Sequence, residues 1–114
     1  MIEKEPLEVK ELLDSGISLV LLDVREHWEF DYCKIPNSIH IPLSNVTKRI
    51  SEFEKKDPII LICHNGRRSR HIGEELINMG FDNVINLKGG VDKWADDIDK
   101  SMPKYGMKEI IENS

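Results

Sequence analysis

The chain has 114 residues, of which 39% are hydrophobic and 32% charged, and its net charge is −5. That length fits one domain with its own core, and the acidic balance leaves no electrostatic footprint for nucleic acid. The longest apolar runs, Leu19–Leu22 and Ile59–Cys63, are far shorter than the roughly 20 residues of a membrane helix, so no membrane partner is expected either.

The opening Met1-Ile2-Glu3-Lys4-Glu5-Pro6 lacks the basic start and apolar stretch of a signal peptide, and a cytoplasmic location is expected. Leu7, Val9, Leu12 and Leu13 ahead of Gly16 predict a short helix with a glycine stop. Leu19 to Val24 is a continuous apolar run apart from Asp23, as in a strand buried on both faces. Residues 26–32 fit a short helix or a loop. Pro36-Asn37 marks a turn, and residues 38–41 a short strand ending at Pro42. Leu43, Val46, Ile50 and Phe53 are spaced 3, 4 and 3 apart and give one helical face, which Asp57-Pro58 ends. Residues 59–62 form a second buried strand. A polar loop follows, Cys63 to Arg68, and then a helix patterned by Ile72, Leu76, Ile77 and Met79, with Gly80 as its stop. Residues 84–87 form a third β run, and Gly89-Gly90 turns into a last helix around Trp94. This alternation predicts an α/β domain with a mostly parallel sheet. The last nine residues, 106–114, read as a polar tail that frays.

The two cysteines, Cys33 and Cys63, form no C-x-x-C pair. Without other signs of secretion a structural disulfide is not expected, and no spaced second pair of ligands suggests a metal site. Cys33 reads as a packed residue, with a resolving thiol as the alternative.

The segment that carries chemistry is Cys63-His64-Asn65-Gly66-Arg67-Arg68-Ser69. It lies where an apolar strand ends and an amphipathic helix begins, the place where open α/β sheets bind ligands. The N–H groups and dipole of the helix favour an anion there. Gly66 lets the loop curl, and a curled loop can turn backbone N–H groups inward. A thiol in such a cradle is expected to ionise easily and act as a nucleophile, which makes Cys63 the candidate catalytic residue. Positive charge concentrates at Arg67, Arg68 and Arg70, which suggests a small anionic partner. Arg67 is expected at the exposed crest of the loop, and the Arg68 side chain is expected to turn toward a carboxylate. His64 reads as a loop side chain near the rim. His27, His40 and His71 read as structural or exposed, and Trp94 as core.

From about Pro6 to Tyr105 the chain resembles the rhodanese family. Cys63 to Ser69 fits its C-x-x-G-x-R-S active loop. Leu22-Asp23-Val24-Arg25-Glu26 with Glu29 is similar to its D-V-R-E…E segment, and Ile35-Pro36 with Ile41-Pro42 to its I-P stretches. Gly80-Phe81, Val84, Leu87, Gly89-Gly90 and Trp94 match its G-F…V…L-x-G-G…W pattern. Cys33-Lys34 stands where the family often has Gly-His, and Asn37-Ser38 where it has Gly-Ala. The resemblance implies a rhodanese fold over residues 1–105, with a five-stranded parallel sheet and helices on both faces, followed by the tail 106–114. It implies sulfurtransferase chemistry: Cys63 would take sulfane sulfur from thiosulfate or a persulfide donor, hold it as a persulfide, and pass it to a thiophilic acceptor such as cyanide, a thiol or a protein. His64, Asn65, Gly66, Arg67, Arg68 and Ser69 would bind the donor, without metal or organic cofactor. Asp23, Arg25 and Glu29 are expected to act as ion-paired support rather than in catalysis.

Two alternatives use the same residues. A cysteine phosphatase or arsenate reductase also places a cysteine in an anion loop, but the C-x5-R phosphatase pattern needs an arginine where Ser69 stands, so the loop is one residue short. A non-catalytic binding module of the rhodanese type is the other. Inactive members typically lack the cysteine that this chain keeps.

Overall fold

The computed structural model describes residues 1–114. Five parallel strands form one sheet: β1 (Ile2–Lys4), β2 (Val20–Asp23), β3 (Ile39–His40), β4 (Ile59–Ile62) and β5 (Val84–Leu87), in the order β1-β5-β4-β2-β3. The helices are α1 (Pro6–Asp14), α2 (His27–Tyr32), α3 (Val46–Arg49), α4 (Arg67–Asn78), α5 (Gly90–Asp97) and α6 (Met107–Glu112). No helix is long and apolar enough to cross a membrane.

The central strand explains the layering. All four residues of β4 are fully buried, because both of its faces are covered, and side chains alternate between them. Ile60 and Ile62 pack with Val9, Leu87, Val91 and Trp94, in the core beneath α1 and α5. Ile59, Leu61 and Cys63 face the other way, with Val46, Ile72 and Leu76 of α3 and α4. Trp94 is thus a core residue. Each large aliphatic side chain so buried contributes about 1.5–3 kcal/mol. The two edges are short, β1 with three residues and β3 with two, which limits unpaired backbone.

Two local expectations differ from the structure, and one strand has no counterpart in the sequence reading. The segment Ile2–Lys4 is a strand because it pairs with Ile85, Asn86 and Leu87 of β5; its own three residues have no β pattern to read. The helix expected from Leu43 to Phe53 is broken into a 3-10 turn (Leu43–Asn45), α3 and a second 3-10 turn (Ile50–Glu52). Its apolar spacing still serves, since Val46 and Ile50 are buried. The tail is helical over α6, where the Gly106 N–H donates to the Glu109 carboxylate at 2.9 Å.

Topology places the site. From β2 the chain runs outward to β3, then returns across β2 to β4. The strand order therefore reverses between β2 and β4, and a crevice opens beyond the carboxyl ends of these two strands. Asp23 ends β2 and Cys63 follows β4, with Asp23 and Ile62 in register.

Candidate active site

The turn from β4 into α4 is set by Gly66. Its φ is +91°, a left-handed value that penalises any residue with a Cβ, and a Cβ there would sit 3.2 Å from the Gly89 nitrogen. The curl brings the Gly66 N–H to Cys63 Sγ at 3.0 Å. The Arg67 N–H is taken by the Asn65 side-chain oxygen at 3.3 Å. Ser69, in the first turn of α4, places its Oγ 3.2 Å from Sγ and against Asn86 Oδ1.

The start of α5 holds the other side of the loop. The N–H groups of Val91 and Asp92 donate to the carbonyls of Cys63 and His64, at 2.9 and 3.1 Å. This requires very close approach: a Cβ on Gly90 would lie 2.3 Å from the Cys63 carbonyl oxygen. Carbonyls are thereby drawn toward one helix N-terminus while the thiol sulfur faces another.

The charged residues expected as support form one network around two ion pairs. Arg25 is fully buried and meets Asp23 through Nε at 3.0 Å and Nη2 at 2.7 Å. It also donates to the backbone carbonyls of Glu29 and Cys33. Burial works against its charge, but the Asp23 hydrogen bonds and charge outweigh it and raise the pKa of the guanidinium. Glu29 pairs with Arg68 through both carboxylate oxygens, at 2.8 and 2.7 Å. Its carboxylate also accepts the Tyr105 hydroxyl at 2.6 Å and the Glu26 N–H at 3.0 Å. Burial pushes the Glu29 carboxyl up, yet these hydrogen bonds, Arg68 first, pull it down to about 2. The Arg25 guanidinium donates to the Tyr105 oxygen at 3.2 Å, so Tyr105 joins the two pairs.

The Arg68 side chain is therefore occupied, whereas Arg67 is exposed with no ion pair. His64 is more enclosed than its loop position suggests: its ring stacks on Tyr105 at 4.2 Å, and the buried Nε2 has no hydrogen-bond partner, Asp92 lying 4.0 Å away. His27 and His71 are exposed, and His40 Nε2 contacts the Arg25 carbonyl at 2.7 Å. Cys33 is a free, buried thiol whose pKa burial raises. No group of three or more His, Cys, Asp or Glu side chains is placed to hold a metal.

A pocket of about 610 Å³ opens beside the loop, walled by Trp28 and Glu29 of α2, by His64, Asn65, Arg67 and Arg68, and by Ile110, Asn113 and Ser114 at the C-terminus. Cys63 is fully covered and does not line it. Asn86 and Tyr105 are site-forming residues that the sequence does not single out, and Gly90 stands out in it only as part of a turn. Asn86 had a signal: one amide in the apolar run Val84–Leu87 must find partners if the strand is buried.

A model of the rhodanese-like domain matches residues 5–97. The "Putative sulfur carrier protein YrkF" of Bacillus subtilis is 44% identical over 86 residues, 75% of this chain and 46% of that protein. The chain thus spans less than half of this relative. The "Thiosulfate sulfurtransferase GlpE" of Actinobacillus pleuropneumoniae is 29% identical over 81% of this chain and 84% of its own length. Among solved structures, a rhodanese-like domain protein from Staphylococcus aureus superposes with a TM-score of 0.80 at 25% identity, covering 93% of this chain and 100% of that one. With the family match running through the strand, loop and helix that form the crevice, the chain belongs to the rhodanese-like domain family.

Proposed function

We propose that this protein is a sulfurtransferase that moves sulfane sulfur from thiosulfate or a persulfide donor to a thiophilic acceptor through a persulfide on Cys63. The observation that carries the reading is the position of Cys63 Sγ, which receives the Gly66 N–H at 3.0 Å at the mouth of α4. An N–H donor and a helix N-terminus both favour negative charge on sulfur.

In the first half-reaction the Cys63 thiolate attacks the outer sulfur of the donor. A new S–S bond forms, the donor's own S–S bond breaks, and sulfite or a thiolate leaves with the bonding pair. In the second, a cyanide or thiolate acceptor attacks the outer sulfur, and Cys63 departs as the thiolate. Electrons balance within each step, so neither calls for a redox partner. Donors of backbone hydrogen bonds already in place cost no reorganisation as charge moves from one sulfur to the next. Because Sγ is covered, the outer sulfur of a donor reaches it as the side chains at the rim part. Arg67, exposed and unpaired, meets an anionic donor at the pocket. Arg68, held by Glu29, supports the loop. The pocket has room for a thiol persulfide as well as for thiosulfate.

The test is a thiosulfate-to-cyanide transfer assay on the wild type and on Cys63→Ser. Turnover that vanishes in the variant supports the reading. Equal turnover in both, or none in either with every donor tried, overturns it.

A further inference from the structure

Ser69 has one hydroxyl proton and two claimants, Cys63 Sγ and Asn86 Oδ1. The Asn86 amide settles which receives it. Its Nδ2 donates to the Gly66 carbonyl at 3.0 Å and to the Glu3 carboxylate at 2.9 Å, and both of these groups only accept. Turning the amide over would set Oδ1 against two acceptors. Oδ1 therefore faces Ser69, and since it can only accept, the hydroxyl proton goes to it. Asn86 and Ser69 are both fully buried, so bulk water does not take over either role.

We propose that Asn86 is a positioning residue that holds the Ser69 proton away from Sγ and thereby disfavours the bare Cys63 thiolate relative to the persulfide. This rests on the persulfide reading above. The bare thiolate carries its charge on Sγ, where a hydroxyl donor would stabilise it strongly. In the loaded state the charge sits on the outer sulfur, and Sγ is a neutral, weak acceptor. The proton withheld by Asn86 is thus a large loss to the empty site and a small one to the loaded site. In the exchange of Cys63–S⁻ and thiosulfate for Cys63–S–S⁻ and sulfite, one S–S bond replaces another and sulfite carries off the bonding pair. Asn86 displaces that exchange toward loading.

The experiment is a double-mutant cycle with Asn86→Leu, Ser69→Ala and the double variant, all in the full chain. Each protein is equilibrated in thiosulfate and sulfite mixtures at alkaline pH, where thiols are ionised, and the ratio of loaded to bare protein is read by intact mass. In Asn86→Leu the freed hydroxyl turns to the thiolate, and the loading constant falls about tenfold, the lower end for a hydrogen bond to a charged group. Ser69→Ala changes it by less than about twofold, since that hydrogen bond was not being made. The double variant matches Ser69→Ala. A structural role alone would lower the melting temperature without this dependence on Ser69. The inference is overturned if Ser69→Ala raises the loading constant about tenfold, which would mean that the hydroxyl already served the thiolate; that variant deletes one oxygen and decides the matter even if Asn86→Leu does not fold. It is also overturned if Asn86→Leu acts equally with and without Ser69. A wild type that loads without this coupling refutes the inference alone, while one that accepts no sulfur from any donor refutes the persulfide reading with it.

Discussion

Arg68 and Glu29 are locked together through both terminal guanidinium nitrogens and both carboxylate oxygens, at 2.8 and 2.7 Å, although they lie 39 positions apart in sequence. The pair ties the first turn of α4 to α2, across the crevice beside Cys63. One partner is nearly covered and the other over a third exposed, with side-chain exposures of 4% and 37%. Arg68→Ala leaves the Glu29 carboxylate with Tyr105 and the Glu26 N–H only. We expect it to cost about 1–3 kcal/mol, the range for stranding one side of a charged hydrogen bond, and to lower kcat by loosening the loop. Thermal melts paired with steady-state kinetics check both effects.

Glu29 also gives the fold an acid-sensitive element. Its folded carboxyl is depressed from the ordinary 4.5 to about 2. A depressed acid contributes stability above its unfolded value and loses it as pH falls through the folded one. The contribution is therefore complete above about pH 5 and declines between there and about pH 2. Glu29→Gln, which keeps the shape and removes the titration, should be less stable at neutral pH and show a flatter profile across that window. Urea unfolding at a series of pH values measures it.

Arg67 is the free cation at the pocket, and Arg67→Ala should act on binding. Uniform loss of binding raises KM and leaves kcat nearly unchanged. A charge-assisted contact weakened by exposure predicts about a tenfold rise in KM for thiosulfate at low salt, shrinking as ionic strength increases. If Arg67→Ala retains the wild-type KM at low salt while Arg68→Ala raises it, the two roles are reversed.

Gly90 tests the contact between α5 and the loop. At φ +59°, an alanine Cβ would meet the Cys63 carbonyl at 2.3 Å and the His64 carbonyl at 2.5 Å. Both atoms are backbone, so relief requires moving the loop or the helix. Gly90→Ala should cost at least about 3 kcal/mol, combining left-handed strain with overpacking. Gly16→Ala is the control: φ is +79° with nothing within 4 Å, so only the backbone term of about 1–2 kcal/mol remains. Chemical denaturation of the two variants gives the comparison.

What could be read from sequence was local or strongly periodic. The apolar run at 59–62, the polar loop after it and the amphipathic helix lie in one stretch, so Cys63, Gly66 and the two arginines announced themselves together. Asp23, Arg25 and Glu29 stood out only through their resemblance to the family's D-V-R-E…E segment. What escaped was fixed by distant partners. β1 exists because β5 offers it an edge. Asn86 reaches the loop from the neighbouring strand, and Tyr105 arrives after α5 has ended to place its hydroxyl on Glu29 and its ring on His64. Periodicity says nothing about such pairs. His64 lines the pocket, as a loop residue near the rim should, and its half-burial comes from stacking on Tyr105, which no local pattern announces. The interrupted helix at 43–52 follows from its ends, where 3-10 turns replace α geometry while the buried side chains keep their spacing.

Everything proposed for the site depends on sulfur being carried on Cys63. The most direct measurement is the intact mass of the wild-type chain after thiosulfate treatment, with the adduct located by peptide mapping. We expect one added sulfur on Cys63, none on the buried Cys33, and loss of the adduct when cyanide is added. A protein that gains no sulfur from thiosulfate or from a thiol persulfide, or gains it only on Cys33, would contradict it.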